Sequence, residues 1–373
     1  MKKVKNLPSY IIAADSWSAC GRGDAITFST SQYQTVLTAE QISVPFFAMQ
    51  DLAVDTDEAR IFEALHTVVA SAIAKAELTP SQLANTAVVL GSTSLDVSSV
   101  KAKPEQTIWL TDTDRLSGYL KAQFATSDLH LTINTACTAG TNAVILADQL
   151  LTHNRAEFVI VVGCEFYNPL TVEGFYSLDL QSANGLKTFS EARSGLVLGE
   201  GVAALVMAKT ASKQKQMKVL GYGTGCDHYS LTMTQESGEH INTIIDQALN
   251  KAQLNAENID LIKVHGTATL NNDQAELNAF NQGLTHAPIF AFKPFTGHTL
   301  GACGVLELAL MDHLLKTQSV IPLPDYVHKE TVLKPFSQDK TLSDYQHILL
   351  NHCGFGGNNA AIIVEVNNCG GQL

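Results

Sequence analysis

The sequence has no cysteine pairs, no surplus of positive charge and no long apolar run. Its seven cysteines, at 20, 137, 164, 226, 303, 353 and 369, are odd in number and widely spaced, with no Cys-x-x-Cys. That excludes a disulfide framework and a cysteine zinc site, and no metal site is expected. A reducing, cytoplasmic compartment fits best. Lys and Arg number 24 against 36 Asp and Glu, for a net charge of −12. This balance argues against nucleic acid or an anionic membrane as the main partner. No stretch approaches the roughly 20 apolar residues of a spanning helix. The opening MKKVKNLPSYIIAAD has too short an apolar run for a signal peptide. What is present is 373 residues, 45% of them hydrophobic. That is enough for one large α/β unit or two similar halves.

The most informative stretch is LHLTINTACTAG, residues 129–140. Alternating apolar residues run into one cysteine among small neighbours, and an apolar helical pattern follows over 142–151. The spacing predicts strand, tight turn and helix, with Cys137 at the helix N-terminus. The helix dipole there favours the thiolate. A buried structural cysteine would leave the same trace.

Elsewhere, strands are expected at 10–14, 87–90, 157–164, 196–207, 219–225, 259–264, 289–292, 347–351 and 360–366. Helices are expected at 57–78, 241–254 and 305–315. Residues 96–127 suit a helical excursion, and 165–195 read as loop. The charged connection KTASKQKQMK, 209–218, is the best boundary between halves, dividing 1–216 from 217–373. The halves repeat a plan. Residues 131–151 and 291–315 share strand, small-residue turn and apolar helix, and 87–94 and 261–269 share a strand followed by a Gly-Thr or Gly-Ser turn. Equivalent turns would then meet at a shared face, where strand ends gather chemistry.

Three more segments follow strand ends. His265-Gly-Thr267-Ala-Thr269 precedes Asp273 and Glu276. Lys293-Pro-Phe-Thr-Gly-His298 opens a slim helix start carrying Gly301, Gly304 and then Glu307. Asn351-His-Cys-Gly-Phe355-Gly-Gly-Asn-Asn ends the series. A lone histidine is more often a satisfied polar group, and GFGG alone could be only a tight turn.

Together and in this order, the four segments resemble the β-ketoacyl-acyl-carrier-protein synthases of the thiolase superfamily. The likeness covers nearly the whole chain. It implies a thiolase-like fold of two tandem α/β halves in five layers, α-β-α-β-α. It implies Cys137 as nucleophile, His265 and His298 as the imidazoles that stabilise an enolate, and Lys293 as a group tuning the His298 region, with Glu307. The backbone N–H groups of Cys137 and Phe355 would hold the oxyanion, and Phe355 would gate the two half-reactions. Asp273 and Glu276 would support the first histidine, and Thr267 and Thr269 would hold a pantetheine arm. The resemblance implies no cofactor, an acyl carrier protein as partner, and a dimer with itself or with a homologous ketosynthase or chain-length-factor subunit. Two histidines point to the elongating type. Thiolases would carry a second catalytic cysteine, and initiating synthases an asparagine in place of one histidine.

The chain departs from the family pattern at Ala268, at Asn358 and at Lys187-Thr-Phe-Ser190, and it is shorter than typical members. The helix near 55–66, where the family often docks the acidic carrier, holds Asp55, Asp57, Glu58 and Glu63 around one Arg60. Docking is then expected at Lys101, Lys103, Arg115, Lys121 or Lys187, or on a partner subunit; each of these is equally a solvated surface residue. A chain-length-factor-like subunit is the alternative. The departures suggest polyene or polyketide synthesis rather than housekeeping fatty-acid synthesis.

Overall fold

The computed structural model describes residues 8–97, 115–324 and 339–367, apart from positions 31, 56 and 213. The first half supplies β1 (Ser9–Ser18), β2 (Ala87–Gly91), β3 (His130–Ile133), β4 (Phe158–Glu165) and β5 (Gly201–Ala208). The second supplies β6 (Gln216–Cys226), β7 (Leu261–Lys263), β8 (Ile289–Phe290), β9 (His347–Gly354) and β10 (Asn358–Asn367). In the sheet they run β8-β7-β9-β10-β6-β1-β5-β4-β2-β3. From either edge inward, each half places its third, second, fourth, fifth and first strand. The pairings repeat too: two parallel, then two antiparallel. The internal repeat seen in the sequence is therefore a repeat of topology. The halves join where β1 pairs antiparallel with β6, from Ser9 opposite Val219 to Ile11 opposite Met217. The sheet is continuous across the charged connection, and Gln216 already belongs to β6.

Seven helices matter here: α1 (Glu58–Ala76), α2 (Arg115–Gln123), α3 (Ala139–Thr152), α4 (Pro169–Ser177), α5 (Glu239–Ala252), α6 (Leu270–Phe280) and α7 (Cys303–Thr317). Period-two alternation sorts the strands between layers. On β5, Ala203, Leu205 and Met207 join a core with α3 and α7, whereas Val202, Ala204 and Val206 face α1 and α2. On β10, Ala360, Ile362 and Val364 face α3 and α7, whereas Ala361 and Ile363 face α5 and α6. Both half-sheets thus share one middle layer of two helices, and the order of layers is α-β-α-β-α. Strands covered on both faces read as unbroken apolar runs, as β4 and β5 do. Among the described residues no helix is long and apolar enough to cross a membrane.

The two middle helices touch backbone to backbone at their starts. A Cβ on Gly140 would lie 2.8 Å from Gly301 O, and one on Gly304 would lie 2.3 Å from Thr141 N. The small residues at both helix starts are what allow this crossing, which sets the segments holding Cys137 and His298 side by side.

Two expectations change. Residues 165–195 are not all loop, because α4 lies within them, capped by Asn168 Oδ1 accepting from Leu170 N at 3.0 Å. It was hidden because it buries only Val172 and carries a mid-helix Gly174. The strand expected at 196–207 is split. Leu198–Gly199 leaves the main sheet and pairs with Ser43–Phe47, which also pairs with Gln34–Leu37. Of the excursion at 96–127, residues 98–114 lie outside the described residues.

Candidate active site

Cys137 sits on a sharp turn between β3 and α3. Ala136 before it has φ of 51°, a conformation that costs a residue with a Cβ about 1–2 kcal/mol. Neighbouring bonds hold the turn in place. Thr138 Oγ1 donates to Thr135 O at 2.7 Å, Asn142 Nδ2 donates to Thr135 Oγ1 at 2.8 Å, and Ala139 N donates to Ala136 O at 3.0 Å. Strain of this kind is maintained where surroundings over-determine it.

The sulfur faces a pocket of about 280 Å³, yet the residue is only 4% exposed. Burial pushes its pKa up to about 12, against the lowering effects of the Phe355 N–H and Lys293. Desolvation thus acts against the thiolate that the helix start favours. The physical reason is that α3 starts at Ala139, so the cysteine stands outside the helix end and is desolvated. Activation must come from a neighbour.

That neighbour is His298, whose Nε2 lies 3.1 Å from Cys137 Sγ. The His298 backbone is fixed by the segment that left the main sheet: its N donates to Val197 O at 2.7 Å, and its O accepts from Gly199 N at 3.1 Å. Gly297 before it has φ of 67°, and a Cβ there would meet Leu198 O at 2.8 Å. On the other side of the ring, Nδ1 lies 3.3 Å from Cys303 Sγ. His265 stands edge-on to His298 with ring centroids 5.2 Å apart. Burial and Lys293 hold both imidazoles well below the usual histidine range, so both are neutral.

Lys293 makes its direct contact with His265, its Nζ lying 3.3 Å from Nδ1; it reaches His298 only through space. Its other partner is Glu307, at 3.2 Å. Glu307 also pairs with Lys263 and lies 2.7 Å from His352 Nε2, a nitrogen that Lys263 Nζ also approaches at 2.8 Å. All four side chains are buried. The cations hold Glu307 well below the usual carboxylate range, Lys293 is raised, and burial lowers Lys263. His352 falls to about 4 through burial and Lys263.

Glu276 and Asp273 shape the first histidine's turn and do not face the sulfur. Glu276 accepts from His265 N and Gly266 N, both at 2.7 Å, and from Asn351 Nδ2 at 2.8 Å. Asp273 accepts from Phe189 N at 2.7 Å and Ala268 N at 3.1 Å. Between these anchors Ala268 is held at φ of 64°. Burial raises both acids, Asp273 to about 7. Thr267 and Thr269 line the pocket with hydroxyls 2.9 Å apart. Thr269 also caps α6.

Phe355 is half-buried, stacked on Phe175 of α4 with centroids 5.3 Å apart, and its backbone N–H acts to lower the pKa of the Cys137 thiol. The two glycines after it have positive φ, and a Cβ on Gly357 would sit 1.6 Å from Asp227 O. The turn is latched to the loop at the pocket mouth, where Gly356 N donates to Leu231 O and Asp227 N to Gly357 O, each at 2.7 Å. The structure therefore brings Cys137, His265, His298, Phe355, Thr267 and Thr269 to one pocket. It places Lys293 and Glu307 behind the histidines, and Asp273 and Glu276 beneath their turn.

Sequence reasoning missed Cys303, Lys263, His352 and Phe175. A signal existed for Lys263: it lies two residues before His265 and so shares its face of the strand. Nothing local marked the others. Of the docking candidates, Arg115 is paired with Glu58 and Asp96 and Lys121 with Asp128, while Lys101 and Lys103 lie outside the described residues. Lys187 makes no ion pair among the described residues. Arg60 is buried against Glu200, so the exposed charged residues at the start of α1 itself are acids, of which Glu58 pairs with Arg115.

A family model described as beta-ketoacyl synthase, N-terminal domain, matches residues 24–213, and one described as beta-ketoacyl synthase, C-terminal domain, matches 217–326. The chain is 30% identical over 253 residues to 3-oxoacyl-[acyl-carrier-protein] synthase 2 of Staphylococcus aureus, covering 62% of this chain and 60% of that protein. It is 30% identical over 271 residues to a putative mitochondrial 3-oxoacyl-[acyl-carrier-protein] synthase of Schizosaccharomyces pombe, covering 66% and 63%. The matches therefore span about three fifths of these relatives' length. Among solved structures, a ketosynthase in complex with its chain length factor from Xenorhabdus doucetiae superposes with a TM-score of 0.79 at 22% identity, covering 97% of this chain and 98% of that one. A beta-ketoacyl synthase from Burkholderia phymatum also gives 0.79, at 20% identity, with 97% and 100% covered. These superpositions establish the thiolase-like fold.

Proposed function

The chain belongs to the beta-ketoacyl synthase family, and from that premise we propose that it condenses an acyl group held on Cys137 with a malonyl thioester. The observation that carries this reading is Cys137 Sγ at 3.1 Å from His298 Nε2, in a pocket that His265 also lines.

In the first half-reaction the Cys137 thiol attacks an acyl thioester on a phosphopantetheine arm. Its proton passes through His298 Nε2 to the departing pantetheine thiol. The N–H groups of Cys137 and Phe355 hold the oxyanion. In the second, malonyl thioester enters, and His265 and His298 donate to its thioester oxygen as CO₂ leaves. The resulting enolate carbon attacks the acyl carbonyl and expels the Cys137 thiolate, which recovers a proton. Neutral imidazoles suit this role because each can present one N–H to a developing oxyanion. Lys293, facing His265 Nδ1, favours the Nε2–H form of that ring. Phe355, stacked on Phe175 at the mouth, would swing to admit the second substrate. Decarboxylation generates the carbon nucleophile, so the reaction needs no cofactor.

The acyl carrier protein is the partner this chemistry implies, and a paired subunit, identical or homologous, is its expected assembly. A second reading is a chain-length-factor-like subunit with little activity of its own. The acid-only start of α1 favours it, since an acidic carrier would be repelled there, and a solved structural relative is a ketosynthase with its chain length factor. Intact-mass analysis after incubation with octanoyl-pantetheine separates the two. The synthase reading expects one acyl adduct, lost in Cys137→Ala; no adduct on the intact chain favours the subunit reading.

A further inference from the structure

Every part of the condensation assigned to His298 depends on which ring nitrogen carries its proton. To donate to a thioester oxygen, Nε2 must be protonated and Nδ1 must accept. For His265 the group facing Nδ1 is an ammonium, Lys293, which can only donate. For His298 it is the thiol of Cys303. That thiol is fully buried, and Thr299 Oγ1 donates to its sulfur at 3.4 Å. One lone pair of the sulfur is thus taken, and both its other lone pair and its own S–H remain available to the ring. Burial raises the Cys303 pKa, which keeps the proton on the sulfur.

We propose that Cys303 is a positioning residue whose thiol sets the tautomer of His298, holding it as the Nε2–H form once Cys137 is acylated. A thiol can both accept and donate at one place. In the resting protein Cys137 offers its proton to Nε2, and Nδ1–H turns to the Cys303 sulfur. After acylation Cys137 has no proton to offer. The first carrier departs, the ring re-equilibrates with water, and the Cys303 S–H turns to Nδ1 while the single ring proton rests on Nε2. The Nδ1–H bond breaks and an Nε2–H bond forms, the proton being exchanged through water, and the only other change is in these hydrogen bonds. Core packing alone would explain a small apolar residue at 303, since α7 begins there against α3. It does not explain a sulfur in contact with both the ring nitrogen and a hydroxyl.

The proposal rests on the condensing reading, and its test separates the two. Cys303→Ala and Cys303→Ser are loaded with octanoyl-pantetheine, then mixed with malonyl-pantetheine, and each half-reaction is timed by intact mass. Acylation is expected within about threefold of the parent in both variants, because the ring can still accept from Cys137. Condensation is expected to fall at least about tenfold in Cys303→Ala and to return to within about threefold in Cys303→Ser, which keeps a two-way hydroxyl. Parent-like condensation in Cys303→Ala, or equal loss in both variants, overturns the proposal. A second readout needs no turnover and no variant at 303. In chain labelled with ¹⁵N-histidine and alkylated at Cys137 by iodoacetamide, the His298 ring, assigned by its loss in His298→Gln, should be protonated at Nε2. Protonation at Nδ1 overturns the proposal, whether or not the chain forms an acyl adduct. An absent adduct with an Nε2–H ring would instead remove the condensing reading alone.

Discussion

Among the described residues Glu307 is the one carboxylate paired with two buried ammonium groups, and Glu307→Gln tests what that sharing contributes. Lys263 and Lys293 are both fully buried, and each is within ion-pair distance of a different Glu307 oxygen. Removing one partner of a buried pair costs about 3–5 kcal/mol, because a charge is left without its counter-charge. Here two charges are left, so the upper part of that range applies. At roughly 2.1 cal/mol/K per residue, a loss of about 4 kcal/mol lowers Tm by about 5 °C. Lys263→Met should cost about 1 kcal/mol or less, because Glu307 keeps Lys293 and His352 and a surplus positive charge is gone. The double variant should then be more stable than Glu307→Gln alone, with a coupling of about 2 kcal/mol. Urea unfolding followed by circular dichroism at pH 7.5 measures all four corners of the cycle. The sign with pH also follows. Glu307 is depressed in the folded state, so its contribution is present above the ordinary carboxylate range and is lost as pH falls through its folded pKa. The gap between parent and Glu307→Gln should hold from pH 7.5 to about 5 and shrink below about 4.5. A Glu307→Gln chain with a Tm within about 1 °C of the parent, or a double variant less stable than the single one, would refute the reasoning.

Three further outcomes are expected. If burial holds Cys137 as a thiol with a pKa of about 12, its thiolate fraction at pH 8 is about 10⁻⁴. Iodoacetamide labelling of Cys137 should then rise about tenfold per pH unit from 7 to 9; a plateau below pH 8 would show a preformed thiolate–imidazolium pair instead. Gly304→Ala places a Cβ 2.3 Å from Thr141 N, so α3 and α7 must part. We expect a loss of about 1–3 kcal/mol and a fall in acylation rate of about 100-fold as Cys137 and His298 separate, with an unchanged acylation rate as the contrary result. Ala268, at φ of 64°, should accept glycine with a change within about 1 kcal/mol, whereas Ala268→Val should cost more than about 2 kcal/mol; equal Tm values for the two variants would show that the turn is not strained.

Much of this architecture was readable from local pattern. Short, near-continuous apolar runs marked β2, β4 and β9, and repeated strand–turn–helix stretches anticipated the shared strand order of the two halves. The pocket residues Cys137, His265, His298 and Phe355 could be picked out because each follows a strand end among small residues. What escaped was whatever depends on contact across the fold. The helix α4 has no apolar stripe to reveal it, yet its Phe175 backs Phe355. Cys303 read as one more small residue at a helix start, although its sulfur faces the His298 ring. Lys263 read as a strand residue and His352 as part of the closing turn, although both meet Glu307, which for Lys263 is 44 positions away.

The sequence by itself determined the kinds of groups available and the local turns that present them, because backbone periodicity and residue size act over a few neighbours. Tertiary structure decided their protonation and their partners. The Cys137 and His298 side chains are 161 positions apart and meet only because α3 and α7 cross at glycines. Whether a cysteine there is thiol or thiolate depends on how much water the surrounding layers exclude, and no run of neighbours along the chain encodes that.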